Sequence, residues 1–252
     1  MRIELINLRK EILSVSYTNK AGHIPSAYSI LEIVFSLYTR VLSTNDKFIL
    51  SKGHGCLALY SVFEYCKFIT KDQLYSFSQF ESILGGHPDK NKLAQIEVSS
   101  GSLGHGLPIS IGICLAKKIK KESGRVFCLV GDGECNEGTT WESLLLANKL
   151  GLNNLICIVD NNKSQVRSVP TDNLEDKFRS FGFNVIIING HDNTQIEDSL
   201  LTDYDKPTVL ICNTIKGFGI KEMEDDMFSW HHGPPNEKKY TDFLQELEGL
   251  SS

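Results

Sequence analysis

Four short apolar runs most constrain how this chain folds. They are Val126–Val130, Leu155–Val159, Val185–Ile188 and Thr208–Cys212. None alternates with polar residues as a half-exposed strand does, which is typical of strands buried on both faces. Helical patterns lie between them at Thr140–Leu150 and, more weakly, at Leu174–Phe181. This order predicts one α/β domain over residues 1–252, with an open, mostly parallel sheet and helices on both faces.

The ends of the chain predict other structure. The first hundred residues read as helices and glycine-rich loops packed on the sheet, starting with an amphipathic stretch at Met1–Lys20. That stretch mixes charges among its apolar residues and lacks the uninterrupted apolar core of a signal peptide. The polar tail, Asn236–Ser252, predicts one short helix with frayed ends.

Charge and composition argue against several classes of protein. The net charge is −5, from 26 basic and 31 acidic residues, which disfavours a nucleic-acid partner because phosphate binding favours a basic face. The chain has no run of eighteen apolar residues, so no membrane-spanning helix is predicted. Its seven cysteines form no CxxC pair, and several lie in apolar runs, where cysteine behaves as a small hydrophobe. We therefore expect a reduced, cytoplasmic protein.

The segment after the first apolar run predicts an anion and metal site. Gly131-Asp132-Gly133 follows that run, and Asp160-Asn161-Asn162 follows the next one. In an open α/β sheet, ligands gather at the carboxyl ends of the strands. Glycines let backbone N–H groups approach an anion, and the following helix offers its N-terminus. Asp132, Asn162 and a backbone carbonyl near Ser164 then supply oxygen ligands for magnesium, which takes its remaining ligands from phosphate and water.

A plainer interpretation of the same segment is a tight turn in which Asp132 caps the next helix. Either interpretation fits the glycine–aspartate–glycine triplet alone. The thirty-residue spacing between Asp132 and Asn162, with a strand before each, favours the metal site.

Several short motifs, in this order, resemble the transketolase family. The span Gly131–Asn162 resembles its thiamine diphosphate motif, GDG followed after about thirty residues by NN. Other segments resemble the family's GHxG, LSKGH, GHP, TGSLGQG and KGKG…WHG regions. The first four of these regions correspond, in chain order, to Ala21–Ser26, Phe48–Gly55, Gly85–Pro88 and Ser99–Gly106. The last region corresponds to Lys216-Gly217 together with Ser229–Gly233. The resemblance implies the diphosphate-binding domain of a thiamine diphosphate-binding fold, with Mg²⁺ as its metal and Ca²⁺ or Mn²⁺ as substitutes.

The resemblance also assigns roles to individual residues. It places His23, His87 and His231 among the substrate-contacting, proton-transferring histidines of the family. His54, and in part His231, would contact the cofactor diphosphate. The remaining cofactor-binding positions it implies are Gly101, Leu103, Gly131, Asp132, Gly133, Glu137 and Asn162, and the metal ligands are Asp132, Asn162 and Ser164. Glu137 matches a glutamate of a carboxylate network across a subunit interface.

Some positions leave alternatives open. A histidine in a glycine-rich loop is more often a surface or turn residue than a catalyst, and a shift of one residue would exchange His231 with His232. His105 stands where the family usually has glutamine, and His191 matches no family position.

The chain departs from the family pattern near the site. Val166-Arg167-Ser168 follows Gln165 where an Asp-Gly is usual, and Arg167 fits a surface charge better than a substrate contact. Phe218 replaces the lysine of KGKG, and Ile24-Pro25 replaces the usual Pro-Gly. These changes leave the cofactor site intact and leave the sugar specificity open.

The resemblance covers only the first domain of a longer family chain. We therefore expect the cofactor-binding subunit of a split transketolase, which transfers a two-carbon ketol unit between sugars that are expected to be phosphorylated. A second subunit would carry the pyrimidine-binding and C-terminal domains, in an α2β2 assembly without nucleic acid or membrane. The alternatives are a subunit for specialised sugar biosynthesis, a decarboxylating enzyme like 1-deoxyxylulose-5-phosphate synthase, and a scaffold with a vestigial site.

Overall fold

The computed structural model describes residues 2–250. Within this range, five parallel strands form one sheet in the order β1-β2-β3-β5-β4. The strands are β1 Lys47–Leu50, β2 Val126–Gly131, β3 Leu155–Asn161, β4 Asn184–Asn189 and β5 Thr208–Asn213. The predicted open parallel sheet is confirmed. The first strand, β1, is not among the predicted strands; it is short, begins at a lysine and pairs with β2, which lies more than seventy residues away in the chain.

Helices cover both faces of the sheet, as predicted. Alternate residues of a strand point to opposite faces, and here they join different apolar clusters. Phe127 and Leu129 of β2 belong to the cluster built with the helices of the first hundred residues. Cys128 and Val130 belong to a second cluster on the other face. Burial on both faces explains why the strands read as continuous apolar runs.

The helices that pack on the sheet follow the predicted order. The α-helices are α1 Ile3–Asn19, α2 Ile24–Tyr28, α3 Leu31–Ser36, α4 Cys56–Tyr65, α5 Lys71–Tyr75, α6 Gly106–Lys120, α7 Gly138–Lys149, α8 Leu174–Ser180, α9 Asn193–Leu201, α10 Lys221–Asp225 and α11 Glu237–Gly249. A short π-helix spans Leu37–Val41, and short 3-10 helices span Gly53–Gly55 and Asp132–Asn136. The tail helix α11 is thirteen residues long, longer than the predicted short helix. The last residues of the predicted tail, Ser251 and Ser252, lie outside the described residues.

The predictions about membrane-spanning helices and about the cysteines can be compared with this fold. No helix within residues 2–250 is long and apolar enough to cross a membrane. The seven cysteines, all of which the structure describes, are free thiols, and six of them are buried. Their burial fits the interpretation of cysteine as a small apolar residue in this chain.

The carboxyl edge of the sheet is where the loops with unusual sequences meet. In the pairing of β2 with β3, Gly131 lies opposite Asp160, so the loops that follow these strands leave the sheet side by side. The loop after β5 leaves from the next position, because Asn161 pairs with Asn213. The motifs singled out in the sequence therefore converge at one edge, as expected for a ligand site in this class of sheet.

Candidate functional site

Asp132 and Asn162 lie together at the carboxyl edge of the sheet. Asp132 is the first residue after β2 and is 1% exposed. Its Oδ1 accepts hydrogen bonds from Ser164 Oγ at 2.7 Å and from the N–H of Gly133 at 2.9 Å. Asn162, just after β3, accepts the N–H of Ser164 on its Oδ1 at 3.0 Å. Ser164 thus links the carboxylate to the amide oxygen, and the three predicted metal ligands share one place.

These residues form part of the wall of a cavity of about 390 Å³. The cavity brings together segments from across the chain, as the motif order predicts. Its walls consist of His23, Ser26, Lys52, His54, His87, Gly101, Leu103, Gly131, Asp132, Gly133, Glu134, Asn162, Ser164, Gln165, Lys216 and His231. Every predicted catalytic, cofactor-binding or metal-ligating residue is in this set except Glu137, whose side chain is exposed on the neighbouring loop.

The cavity has a buried floor and an open rim. Asp132, Asn162 and Lys216 are at most 4% exposed. By contrast, His87 and Leu103 at the rim are exposed. The buried floor therefore suits a charged ligand group, and apolar parts of a ligand would lie near Leu103 and the surface.

Two buried lysines give the floor a positive charge that the sequence motifs do not assign. Lys52 forms a buried ion pair with Asp160, the next-to-last residue of β3. Lys216 is 2% exposed and donates to Nδ1 of His231 at 2.9 Å. Burial, together with the nearby charge of Lys52, lowers the pKa of Lys216 to about 8. A bound anion would be favoured here, because it would offset the positive charge of Lys216, whereas Lys52 is already paired with Asp160.

Asp160 joins several loops to this lysine. Its carboxylate also accepts from Ser29 Oγ at 2.7 Å, from Asn162 Nδ2 at 2.8 Å and from the hydroxyl of Thr214. A fully buried carboxylate needs such partners, because an unpaired one costs several kcal/mol. Asp160 therefore fixes Lys52 and the amide of Asn162 in place rather than facing the ligand.

Glu134 holds the glycine-rich loops together. Its Oε1 accepts the N–H of Gly104 at 2.9 Å and the hydroxyl of Ser51, and its Oε2 accepts the N–H of Gly131 at 2.9 Å. Burial raises the pKa of Glu134 and outweighs these hydrogen bonds, which lower it. The loops after β1, before α6 and after β2 thus share one carboxylate, a role that sequence reasoning missed.

Three of the four histidines that line the cavity lie close together. The ring of His23 lies 5.5 Å from the ring of His54 and 5.7 Å from that of His231, measured between centroids. Burial, then the neighbouring His232 and His231, lowers the pKa of His23 to about 4. Burial, then the charge of Lys52, lowers the pKa of His54 to about 2. Both imidazoles are therefore neutral at pH 7, and each can donate one hydrogen bond and accept another.

These lowered pKa values predict a loss of stability in acid. In the unfolded chain the imidazole of His54 titrates near 6.5, whereas in the fold it stays neutral. As the pH falls through 6.5 the unfolded state binds a proton that the folded state does not, so the free energy of unfolding falls. The unfolding midpoint of the cofactor-free chain should drop between pH 7 and pH 5, and His54→Asn should reduce that drop. His105→Asn, on an exposed loop, is the control; equal pH slopes for all three proteins would refute the assignment.

The oxygen donors of the floor suit a hard divalent cation that a ligand helps to bind. Asp132, Asn162 and Ser164 offer oxygen atoms and no sulfur or nitrogen ligand. Among the described residues, no group of three or more His, Cys, Asp or Glu side chains could hold a metal ion unaided. A cation here would complete its shell with oxygens of the ligand, as magnesium does beside phosphates.

A buried hydroxyl in the cavity wall could also bind a ligand atom. Ser26 is 1% exposed, and its Oγ finds no hydrogen-bond partner among the described residues. Buried polar groups are rarely left unpaired. An oxygen-rich ligand in this cavity would satisfy Ser26, so the residues present fit an anionic, metal-bridged ligand.

The structure also separates residues that the sequence could not tell apart. His231 lines the cavity and accepts from Lys216, whereas His232 packs against His23 outside it. His105 also lies outside, with its Nδ1 close to Ser102 and the Leu103 carbonyl. Arg167 lies over the ring of Phe228, 3.9 Å from the centroid, and does not line the cavity.

A family model and the sequences of known proteins agree on the protein family of this chain. The family described as "Transketolase, thiamine diphosphate binding domain" matches residues 6–250. This chain belongs to the transketolase family. The thiamine diphosphate-binding character of the domain, which the motifs imply, is thereby confirmed.

Among relatives, the chain is similar to separate subunits and to one part of longer transketolases. It is 34% identical to an apulose-4-phosphate transketolase subunit from Phocaeicola vulgatus, over 98% of this chain and 95% of that protein. It is 31% identical to 6-deoxy-6-sulfo-D-fructose transketolase subunit SqwG of a Clostridium species, over 90% and 88%. Human transketolase is 34% identical, but the chain spans only 41% of its length.

A solved transketolase has the same fold. Transketolase from Campylobacter jejuni superposes with a TM-score of 0.87 at 26% identity, over 99% of this chain and 43% of that one. The transketolase fold predicted from the motifs is thereby confirmed, and the carboxyl edge of the sheet is the edge at which the family motifs gather in this chain.

Proposed function

We propose that this chain is the thiamine diphosphate- and magnesium-binding subunit of a split transketolase. With a second subunit it would transfer a two-carbon ketol unit from a ketose to an aldose. The observation that carries the proposal is the cavity in which Asp132 and Asn162 meet two buried lysines and four histidines. A vestigial site has no reason to keep these groups together, which argues against a scaffold role.

The floor of the cavity would bind the diphosphate end of the cofactor. Asp132, Asn162 and an oxygen of Ser164 would hold Mg²⁺, with Ca²⁺ or Mn²⁺ as substitutes, and the metal would bridge to the diphosphate. Lys216 would offset part of the remaining anionic charge, and neutral His54 would donate a hydrogen bond to the diphosphate. Leu103 and the backbone of Gly101, at the rim, would contact the rings of the cofactor. The backbone of Gly131 and Gly133, which has no side chain to shield it, would let the anion approach beside Asp132.

The histidines would handle protons of the sugar. Thiamine diphosphate, when bound, supplies an electron sink for cleaving the bond beside a ketose carbonyl. His23 and His231 would exchange protons with the sugar hydroxyls, since both line the cavity and His23 is neutral at pH 7. Lys216 donates to Nδ1 of His231, so the ring proton of a neutral His231 is on Nε2. If Nε2 passes this proton to the substrate, Lys216 can supply the replacing proton at Nδ1, since its pKa is about 8. His87, exposed at the rim, would contact the sugar.

A second subunit would cover the open side of this site. Relatives of nearly the same length are named as subunits, and transketolases in one chain are more than twice as long as the matched part. We propose that the partner carries the pyrimidine-binding and C-terminal domains, in an α2β2 assembly. Glu137, exposed beside the cavity, would face that interface. Closing the rim would exclude water and strengthen the electrostatic contacts within.

Exposed aliphatic side chains on α6 and α7 offer a surface for this assembly. Ile109 is 41% exposed and Leu145 61%, and the two helices pack against each other beside the site. Apolar side chains grouped in this way are typical of interaction surfaces. We expect Leu145→Asp to leave the fold intact and to abolish association with the second subunit or a second copy.

A matched control makes that prediction specific. Leu201 of α9 is also an exposed leucine, 53% exposed, but its helix packs on the opposite face of the sheet. Leu201→Asp should assemble normally. Light scattering after size-exclusion chromatography measures the assembly; unchanged association of the Leu145 variant would place the interface elsewhere.

The names of two relatives and the sequence of the Val166–Ser168 loop suggest the class of sugar donor. The relatives named above are described as acting on apulose 4-phosphate and on a sulfonated fructose, which are unusual anionic ketoses. The altered loop at Val166–Ser168, near the metal ligands, fits a donor that differs from those of common transketolases. We propose a ketose carrying a phosphate or another strong anion as the donor, in specialised sugar metabolism.

Turnover by the reconstituted pair tests the proposal. The chain and its second subunit, with magnesium and thiamine diphosphate, should transfer a two-carbon unit from at least one ketose of a panel of phosphorylated and sulfonated sugars. Mass spectrometry of the products identifies the donor. Decarboxylation of pyruvate without ketol transfer would favour the synthase-like alternative. Tight cofactor binding without turnover of any sugar would favour the scaffold.

A further inference from the structure

A buried ion pair lies behind the site and has no role in the proposed chemistry. Arg9 of α1 and Glu32 of α3 are 0% and 1% exposed, and Arg9 Nη2 lies 2.6 Å from Glu32 Oε1. Burial alone would raise the pKa of Glu32, but Arg9 and then His191 outweigh it and lower that pKa. Such pairs contribute little to stability compared with apolar packing. The presence of this ion pair is therefore better explained by a role other than stabilisation.

His191 connects the ion pair to the loop that follows β5. Its Nδ1 lies 3.1 Å from Glu32 Oε2, and its Nε2 accepts the N–H of Ile215 at 2.9 Å. With Nε2 accepting, the ring proton is on Nδ1 and is donated to Glu32. One neutral tautomer therefore serves both contacts, and it joins α3 to the residue directly before Lys216.

The same loop is held at Phe218. Arg9 Nε donates to the Phe218 carbonyl at 2.9 Å, and the Phe218 ring stacks on His191 with centroids 3.8 Å apart. Gly219 follows at a φ of +102°, where a Cβ would lie 3.3 Å from the Arg9 side chain. Phe218, which replaces the lysine usual in the family, thus completes a cluster of Arg9, Glu32, His191 and Phe218, here called the Arg9 cluster.

We propose that the Arg9 cluster positions Lys216, with His191 as the positioning residue that fixes the backbone before it. The cluster holds the loop on both sides of Lys216, at Ile215 and at Phe218. Lys216 then reaches the cavity floor with its Nζ 2.9 Å from His231. None of the cluster's four side chains lines the cavity, so we propose that the cluster acts on the ligand through the loop that carries Lys216. This inference rests on the proposed function, in which Lys216 binds the diphosphate.

A double-mutant cycle on cofactor affinity tests the inference. His191→Leu removes both hydrogen bonds and replaces the imidazole with an apolar side chain. It should weaken thiamine diphosphate binding by about tenfold, a coupling typical of residues that act together. In a Lys216→Met background the same change should alter the affinity by less than about twofold, because the residue it positions is gone. His191→Gln, which keeps one donor and one acceptor, should recover most of the affinity. Calorimetric titration of the full chain assembled with its second subunit measures each of these proteins.

Stability measurements separate positioning from folding. A purely structural role would lower the unfolding temperature and weaken binding equally in both backgrounds; equal losses would overturn the inference. If His191→Leu fails to fold, Phe218→Leu, which removes the stack on His191 and keeps the side chain apolar, goes through the same cycle with the same criterion. A wild-type assembly that does not bind the cofactor at all would instead refute the proposed function, so the two failures are distinct.

Discussion

Replacing Asp132 by alanine should abolish magnesium-dependent binding of thiamine diphosphate to the assembled enzyme. Asp132 is the one carboxylate among the three oxygen ligands proposed for the metal, and it is 1% exposed at the floor of the cavity. Without it, the cation loses its only charged protein ligand, and the diphosphate faces the cavity without a bridging metal. Calorimetric titration with and without magnesium measures the loss.

Two further variants sharpen this result. Asn162→Ala should weaken binding without abolishing it, because an amide oxygen carries less charge than a carboxylate. Asp172→Ala removes an exposed carboxylate that lies outside the cavity, and it should bind as wild type does. If the Asp132 variant binds the cofactor as tightly as wild type, the metal site has been placed wrongly.

His23→Ala and His231→Ala should each lower kcat by ~10²–10⁴-fold while changing cofactor affinity much less. Both side chains line the cavity, with His231 exposed and His23 half-buried, and the proposed role of each is proton transfer at the sugar. Steady-state kinetics of the assembled enzyme, combined with cofactor titration, separates the two effects. A role in cofactor binding would produce the opposite pattern.

His232→Ala is the matched control for the histidine variants. His232 is the next residue after His231 and packs against His23, but it does not line the cavity. It should keep kcat within about an order of magnitude of wild type, a smaller effect than the loss of a general acid or base. Normal turnover in both the His23 and His231 variants would remove these residues from the mechanism.

The sheet and the place of the site are predictable from the sequence, because both depend on local patterns. Continuous apolar runs such as Leu155–Val159 carry their burial in their own composition, and parallel strands place the residues after them at one edge. The strand Lys47–Leu50 escapes prediction because four residues with a lysine at one end carry no such pattern. Its strand character comes from pairing with β2, which is distant in sequence.

The groups that support the site could not be predicted, because their partners are distant along the chain. Lys52 pairs with Asp160, 108 residues away, and His191 lies 159 residues from its partner Glu32. Before the fold is known, a buried aspartate inside a strand and a phenylalanine in a glycine loop look like ordinary residues. In the sequence Phe218 is only a departure from the family pattern, and its stacking on His191 gives that departure a physical reason.

The most direct test of the account is hydrogen–deuterium exchange at C2 of the bound cofactor. We propose that this chain builds one wall of the site and that the pyrimidine-binding domain of the second subunit supplies the group that activates the cofactor. The chain alone, saturated with magnesium and thiamine diphosphate, should exchange C2 hydrogen no faster than free cofactor does, and adding the second subunit should accelerate the exchange to the rate of turnover. Exchange at that rate by the chain alone would contradict the account, because a side chain of this subunit would then be the activator.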